Sequence, residues 1–142
     1  MNREPPYTLD ILRLAASLPV ETSLPQVTHA ADARSATCGS TIRTELSSES
    51  GRIAAIAQKV TACAYGQASA ALVQGWAPGR LKAEVIVLRA AVKAWLDGRG
   101  EVPEGFAVLG PVQARAGRHG AVLLPFDALL KALDEPATEG QA

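Results

Sequence analysis

The chain has 142 residues, the size of one ordinary domain and enough to bury a core without disulfides or metal. Lys plus Arg number 14, as do Asp plus Glu, so the basic excess of a general nucleic-acid binder is missing. Hydrophobic residues make up 48% and aromatics only 4%, so the core must be aliphatic and rich in alanine.

Residues 1–6 are expected to be loose, and Thr8 to cap a helix over about 9–17 with Leu9, Leu12, Leu14 and Ala15 on its apolar face; Pro19 stops it. The apolar start is broken by Arg13 and follows Glu4 and Asp10, which makes a poor signal peptide. No apolar run approaches the roughly 18 residues of a membrane span. A cytoplasmic protein is the expectation, and in a reducing compartment cysteines are thiols or metal ligands rather than a disulfide.

Residues 18–36 read as a linker or irregular edge with a short strand near Thr28–Arg34; His29 in this polar stretch reads as a solvated side chain. Thr41–Leu46 alternates with period two: Ile42, Thr44 and Leu46 share one face, Arg43 and Glu45 the other. SSESG is a turn signal, and Ile53–Thr61 returns. Such an antiparallel hairpin brings its outer ends together. Cys38 precedes the first strand and Cys63 follows the second, so the two thiols are expected to approach each other.

A short helix is predicted over Tyr65–Gln74, ended by Gly75 and Pro78. Its small first turn (Ala64, Gly66, Ala68) leaves backbone amides accessible next to Cys63, and the positive helix end there favours thiolate over thiol. Leu81–Leu96 is the clearest helix, with Leu81, Val85, Leu88, Val92 and Trp95 on its core face and Gly98 and Gly100 beyond its end. Residues 98–120 read as loop, with Arg115, Arg118 and His119 a small basic cluster. The last helix runs from about Val122 to Leu133 with Pro125 in its first turn, and residues 136–142 form a loose tail. There is one domain, 1–142, without repeats.

Phosphate-cradling glycine loops, GxSxG, HExxH and CxxC are all missing from the sequence. No carboxylate pair stands out, so no standard hydrolytic or nucleotide-using enzyme is expected. The distinctive residues are the two thiols in their setting.

Cys38-Gly39, a hairpin, Cys63 and then a small-residue helix through Ala70-Ala71-Leu72-Val73 resemble the IscU/NifU-type iron–sulfur cluster assembly scaffold family. The likeness extends from the N-terminal helix, YTLDILRLA, to the last helix. It implies an α+β fold: a small antiparallel sheet of about three strands against a helical layer. It also implies a scaffold rather than an enzyme, of a family that assembles iron–sulfur clusters on three cysteines plus an aspartate or histidine; for this chain the expected cargo is a labile iron–sulfur cluster or a single zinc or iron ion. The implied partners are a cysteine desulfurase and iron–sulfur acceptor or assembly proteins, with no nucleic acid and no membrane, the chain itself being a monomer or weak homodimer.

The sequence departs from that pattern in two places. The family's Cys-Gly-Asp is Cys38-Gly39-Ser40, an uncharged hydroxyl for a carboxylate. The family's third cysteine is missing. Aligning on the last helix (Cys-x-x-Leu-x-x-x-Ala, matched at Leu124 and Ala128) puts Ala121 in its place. Aligning on the Leu-Pro-Pro-Val-Lys segment, matched at Leu109, Pro111 and Val112 with Gly110 and Gln113 departing, puts Ala116 there. The candidate ligands are therefore Cys38 and Cys63, with His119 to complete the site and Ser40 as a weak fourth. Two other readings stay open: a metal-free module that docks on a desulfurase or another assembly factor, and a pair of thiols cycling through a disulfide.

Overall fold

The structure, a computed structural model, describes residues 7–19, 24–36 and 39–136. Helix α1 (Leu9–Ala16) begins where predicted, with the Thr8 hydroxyl accepting from Ile11 N at 3.2 Å. Its buried side is Ile11 and Ala15, whereas Leu9 and Leu12 are exposed. Three strands follow: β1 (His29–Arg34), β2 (Thr41–Glu49) and β3 (Arg52–Thr61), antiparallel in the order β1-β2-β3. Helices α2 (Ala64–Trp76), α3 (Lys82–Leu96) and α4 (His119–Leu133) complete the chain, with two 3₁₀ segments, Ala107–Ala114 and Ala116–Arg118, in between.

The hairpin is longer than SSESG suggested. Ser47 and Ser48 belong to the ladder, with a register shift between them, and the turn is only Ser50-Gly51. Both turn residues have positive φ, 54° and 78°, which matches the twist of a two-residue hairpin and explains the glycine. Alternation places Ile42, Thr44 and Leu46 on one face with Ile56 and Gln58. Helix α4 covers that face over β1 and β2, and α2 covers it over β3; α1 lies against α2, and α3 against α4. This is the α+β arrangement of a small antiparallel sheet with helices on one side. The other face is wet, with Arg43 bridging Asp32 at 3.3 Å and Glu45 at 3.4 Å.

The core is aliphatic, as the composition requires, with Phe106 against Phe126 and Trp95 added. The loop predicted over 98–120 contains the two 3₁₀ segments, through which Leu109 and Val112 enter the core. Helix α2 passes through Gly75 to Trp76, and α4 starts at His119. Pro125 therefore lies in the second turn of α4 rather than its first, and cannot donate to the carbonyl of Ala121. Pro136, expected to be loose, pairs with His29 as an isolated bridge. Residues 1–6 and 137–142, also expected to be loose, lie outside the described residues. Among the described residues no helix is long and apolar enough to cross a membrane.

One core hydroxyl lacks a partner among the described residues. Thr44 is fully buried opposite Gln58, and its Oγ1 makes no hydrogen bond. A buried hydroxyl left unpaired costs roughly 1–3 kcal/mol. Thr44→Val keeps the shape and removes that penalty. It is expected to stabilise the protein by about 1 kcal/mol, raising the thermal midpoint by about 3 °C. A lowered midpoint in a calorimetric scan would show that the hydroxyl is satisfied after all.

Candidate metal centre at the open end of the sheet

The β-ladder fixes which residues meet at the sheet's end. Arg34 pairs with Thr41, and Thr41 with Thr61. The connection from β1 to β2 and the exit from β3 are therefore neighbours. That connection is tight: Ser35 N donates to Ser40 O at 2.9 Å and Gly39 N to Ser35 O at 3.2 Å. Gly39 has φ 73°, the left-handed conformation that glycine adopts without cost. Cys38 belongs to this connection but lies outside the described residues. Ser40, the weak candidate, is buried.

Cys63 sits two residues beyond Thr61 as the N-cap of α2, half-buried and free, with extended φ and ψ of −66° and 172°. The predicted strand–cysteine–helix order is therefore present. Gln67 pins the junction from both sides: its N donates to Cys63 O at 3.0 Å and its Nε2 to Ala62 O at 2.9 Å.

Two elements close around Cys63. The first is the segment before α1. The Tyr7 ring packs edge-on against Tyr65, centroids 4.9 Å apart. Burial holds the Tyr7 hydroxyl above the usual tyrosine range. The Cys63 sulfur adds to this by charge, and the Arg118 guanidinium opposes it. The second element is the start of α4. Gly66, in the first turn of α2, fits directly against Ala121: a Cβ built on Gly66 would lie 3.3 Å from Ala121 O. Ser69 Oγ then donates to Val122 O at 2.7 Å, buried between the helices. Ala121 is fully buried in this contact, whereas Ala116 is exposed. Of the two alignments for the missing cysteine, the one ending at Ala121 thus meets α2 at Gly66, one helical turn beyond Cys63.

His119 opens α4. Its Nε2 lies 2.9 Å from Val112 O and 3.0 Å from Gln113 O, so Nε2 carries a proton and donates. Among the described residues no group of three or more His, Cys, Asp or Glu side chains gathers as a metal site. Tyr7 and the role of Gly66 were not foreseen from the sequence. Tyr7 stands just before a capping threonine, a place that signals only a helix start. Gly66 reads as one small residue among many.

No protein-family model matches the chain, and no curated protein does. Solved structures do match. A nitrogen-fixing NifU-like protein (N-terminal) from Brucella abortus aligns at 30% identity over 89% of this chain and 91% of its own, with TM-score 0.82. A protein of Fervidobacterium islandicum, described as an iron–sulfur cluster assembly scaffold for the SUF system, shares the fold at 20% identity over 90% of this chain and 96% of its own, with TM-score 0.75.

Proposed function

The chain belongs to the NifU-like, IscU/NifU-type family, whose members are scaffolds rather than enzymes, and on that premise we propose that it holds a labile iron–sulfur cluster or a single metal ion as cargo on Cys38 and Cys63. The observation that carries the reading is the place of Cys63. It caps α2 at the sheet end to which the Cys38 connection also belongs, in a fold shared with the NifU-like protein over 89% of the chain. A thiolate there faces the positive end of a 13-residue helix. Soft thiolates suit iron, iron–sulfur clusters and zinc alike.

Two protein thiolates are fewer than the four donors such cargo takes. His119 Nδ1 is the third donor in this reading, and the Ser40 hydroxyl a weak fourth. With alanine at 121 and serine at 40, the site lacks two anionic donors of the family pattern, so cargo is held loosely and its coordination is completed by a partner or a second copy. The partners are a cysteine desulfurase, which supplies sulfur, and the acceptor or assembly proteins that take the cluster.

Supplied anaerobically with ferrous iron, cysteine and a cysteine desulfurase, the chain is expected to develop the broad visible absorption of thiolate-to-iron charge transfer. Cys38→Ser and Cys63→Ser each abolish it. If wild type stays colourless, or both variants colour normally, the reading is wrong. The same two substitutions at Ala121 and Ser40 favour a second reading, a metal-free module that docks on the desulfurase. Its signature is desulfurase binding that survives loss of both thiols in a chain that takes up no iron.

A further inference from the structure

The wet face of the sheet changes character toward its open end. Strand register sets Asp32, Arg43 and Lys59 abreast in one row, and Arg34, Thr41 and Thr61 abreast in the next, beside the connection that contains Cys38. With Lys131 from the last turn of α4, these residues line an open depression of about 530 Å³. Arg43 is neutralised there, since it bridges both Asp32 and Glu45. Arg34 and Lys59 have no acidic partner among the described residues, and the Lys131 ammonium donates to a backbone carbonyl, Asp32 O, at 2.8 Å. Around α3 the cations are instead paired: Arg80, Lys82, Arg89 and Lys93 each bridge a carboxylate. The chain as a whole is neutral, so the open end of the sheet carries a local positive excess rather than a share of a general one.

We propose that this depression is a docking surface for an acidic segment of the partner protein that exchanges cargo at the open end of the sheet. The inference rests on the reading of Cys38 and Cys63 as the cargo site, because that reading brings a partner against this end. Arg34 on β1 and Lys59 on β3 stand on either side of β2, about 10 Å apart across the sheet at the usual strand spacing. Charges so far apart suit carboxylates spaced along one segment better than a single small anion. The Thr41 and Thr61 hydroxyls in the same depression offer further donors. Asp32 and Glu45 on this face set it apart from a nucleic-acid surface, where cations cluster without carboxylates between them. Charge pairing of this exposed kind steers association and selects the partner, and it weakens with salt.

The probe is a short peptide of alternating Glu and Gly, titrated at low ionic strength into the isotope-labelled full chain and followed by amide NMR. It is expected to shift the amides of residues 32–34, 41–43 and 59–61, and added salt to reverse the shifts. Arg34→Gln with Lys59→Gln is expected to weaken binding about tenfold. Lys93→Gln with Arg99→Gln removes the same charge at the end of α3, a helix that packs on α4 rather than on the sheet, and should leave binding unchanged. No shifts in wild type, shifts outside those rows, or equal weakening by the two double variants overturns the proposal. So does equal binding of a Gln and Gly peptide, or tighter binding of an oligothymidylate of the same charge, which would make the face one for nucleic acid. None of these measurements uses metal. Iron and sulfide uptake from inorganic salts is expected to be unaffected by Arg34→Gln with Lys59→Gln. If wild type takes up neither, the scaffold reading falls, and the titration alone decides on the surface.

Discussion

Gly66→Ala is expected to destabilise the protein by about 2 kcal/mol, although alanine is the better helix former. The added Cβ would lie 2.7 Å from Ala62 Cβ, 3.3 Å from Ala121 O and 3.4 Å from Ala121 Cβ. Alanine in a helix interior gains about 1 kcal/mol over glycine, and overpacking a tight site costs about 1–3 kcal/mol. Overpacking wins here because nothing nearby can rotate away: the neighbours are a backbone carbonyl and two methyl groups. Relief requires Gly66 to move away from Ala62 before α2 as well as from α4, and parting α2 from α4 also disturbs the Ser69–Val122 bond. Gly75 in the same helix supplies the contrast, because a Cβ there meets nothing within 4 Å. Gly75→Ala should therefore stabilise by up to about 1 kcal/mol. Thermal unfolding of the two variants checks the argument: a fall of about 6 °C for the first and a small rise for the second. A rise for both would mean that the helices are not in close contact at Gly66.

Ala121→Cys is expected to convert a loose site into a retentive one. Ala121 lies in the first turn of α4, directly against Gly66, which itself lies one helical turn beyond Cys63 in α2. A thiol at 121 supplies the third soft donor that the family pattern has and this chain lacks. Release of iron to a chelator should slow by about tenfold or more, equivalent to about 1.4 kcal/mol of added binding. Ala116→Cys is the control. It is the position given by the other alignment, and it lies on an exposed 3₁₀ segment. Slowing in Ala116→Cys but not in Ala121→Cys would reverse the assignment; slowing in neither would place the metal elsewhere.

Much of the architecture could be read from spacing. The hairpin follows from the alternation of Ile42, Thr44 and Leu46, and α3 from apolar residues three and four apart, because in each case one face is buried and the other wet. Where packing rather than pattern decides, the reading failed. Leu9 and Leu12 are as apolar as Ile11, yet they face away from α2 and stay exposed. Residues 107–118 carry the glycine and proline of a loop but form 3₁₀ turns, which tolerate Pro111. Helix α4 gains a turn before Pro125 because the carbonyls of Ala121 and Val122 face α2, where Ser69 supplies a donor to Val122. At the candidate site, Cys63 was legible because strand, cysteine and helix follow each other along the chain. Tyr7 was not, because its approach to Cys63 depends on how α1 docks on α2, a contact between elements that no local spacing encodes.

If Cys38 and Cys63 hold the cargo, iron and acid-labile sulfide per chain after anaerobic reconstitution and desalting depend on both thiols. Wild type should carry iron and sulfide in near-stoichiometric amounts, reduced to background in Cys38→Ser and in Cys63→Ser, and lowered in His119→Ala. Wild type free of both, or a content unchanged by loss of either thiol, would mean that these thiols do not hold it.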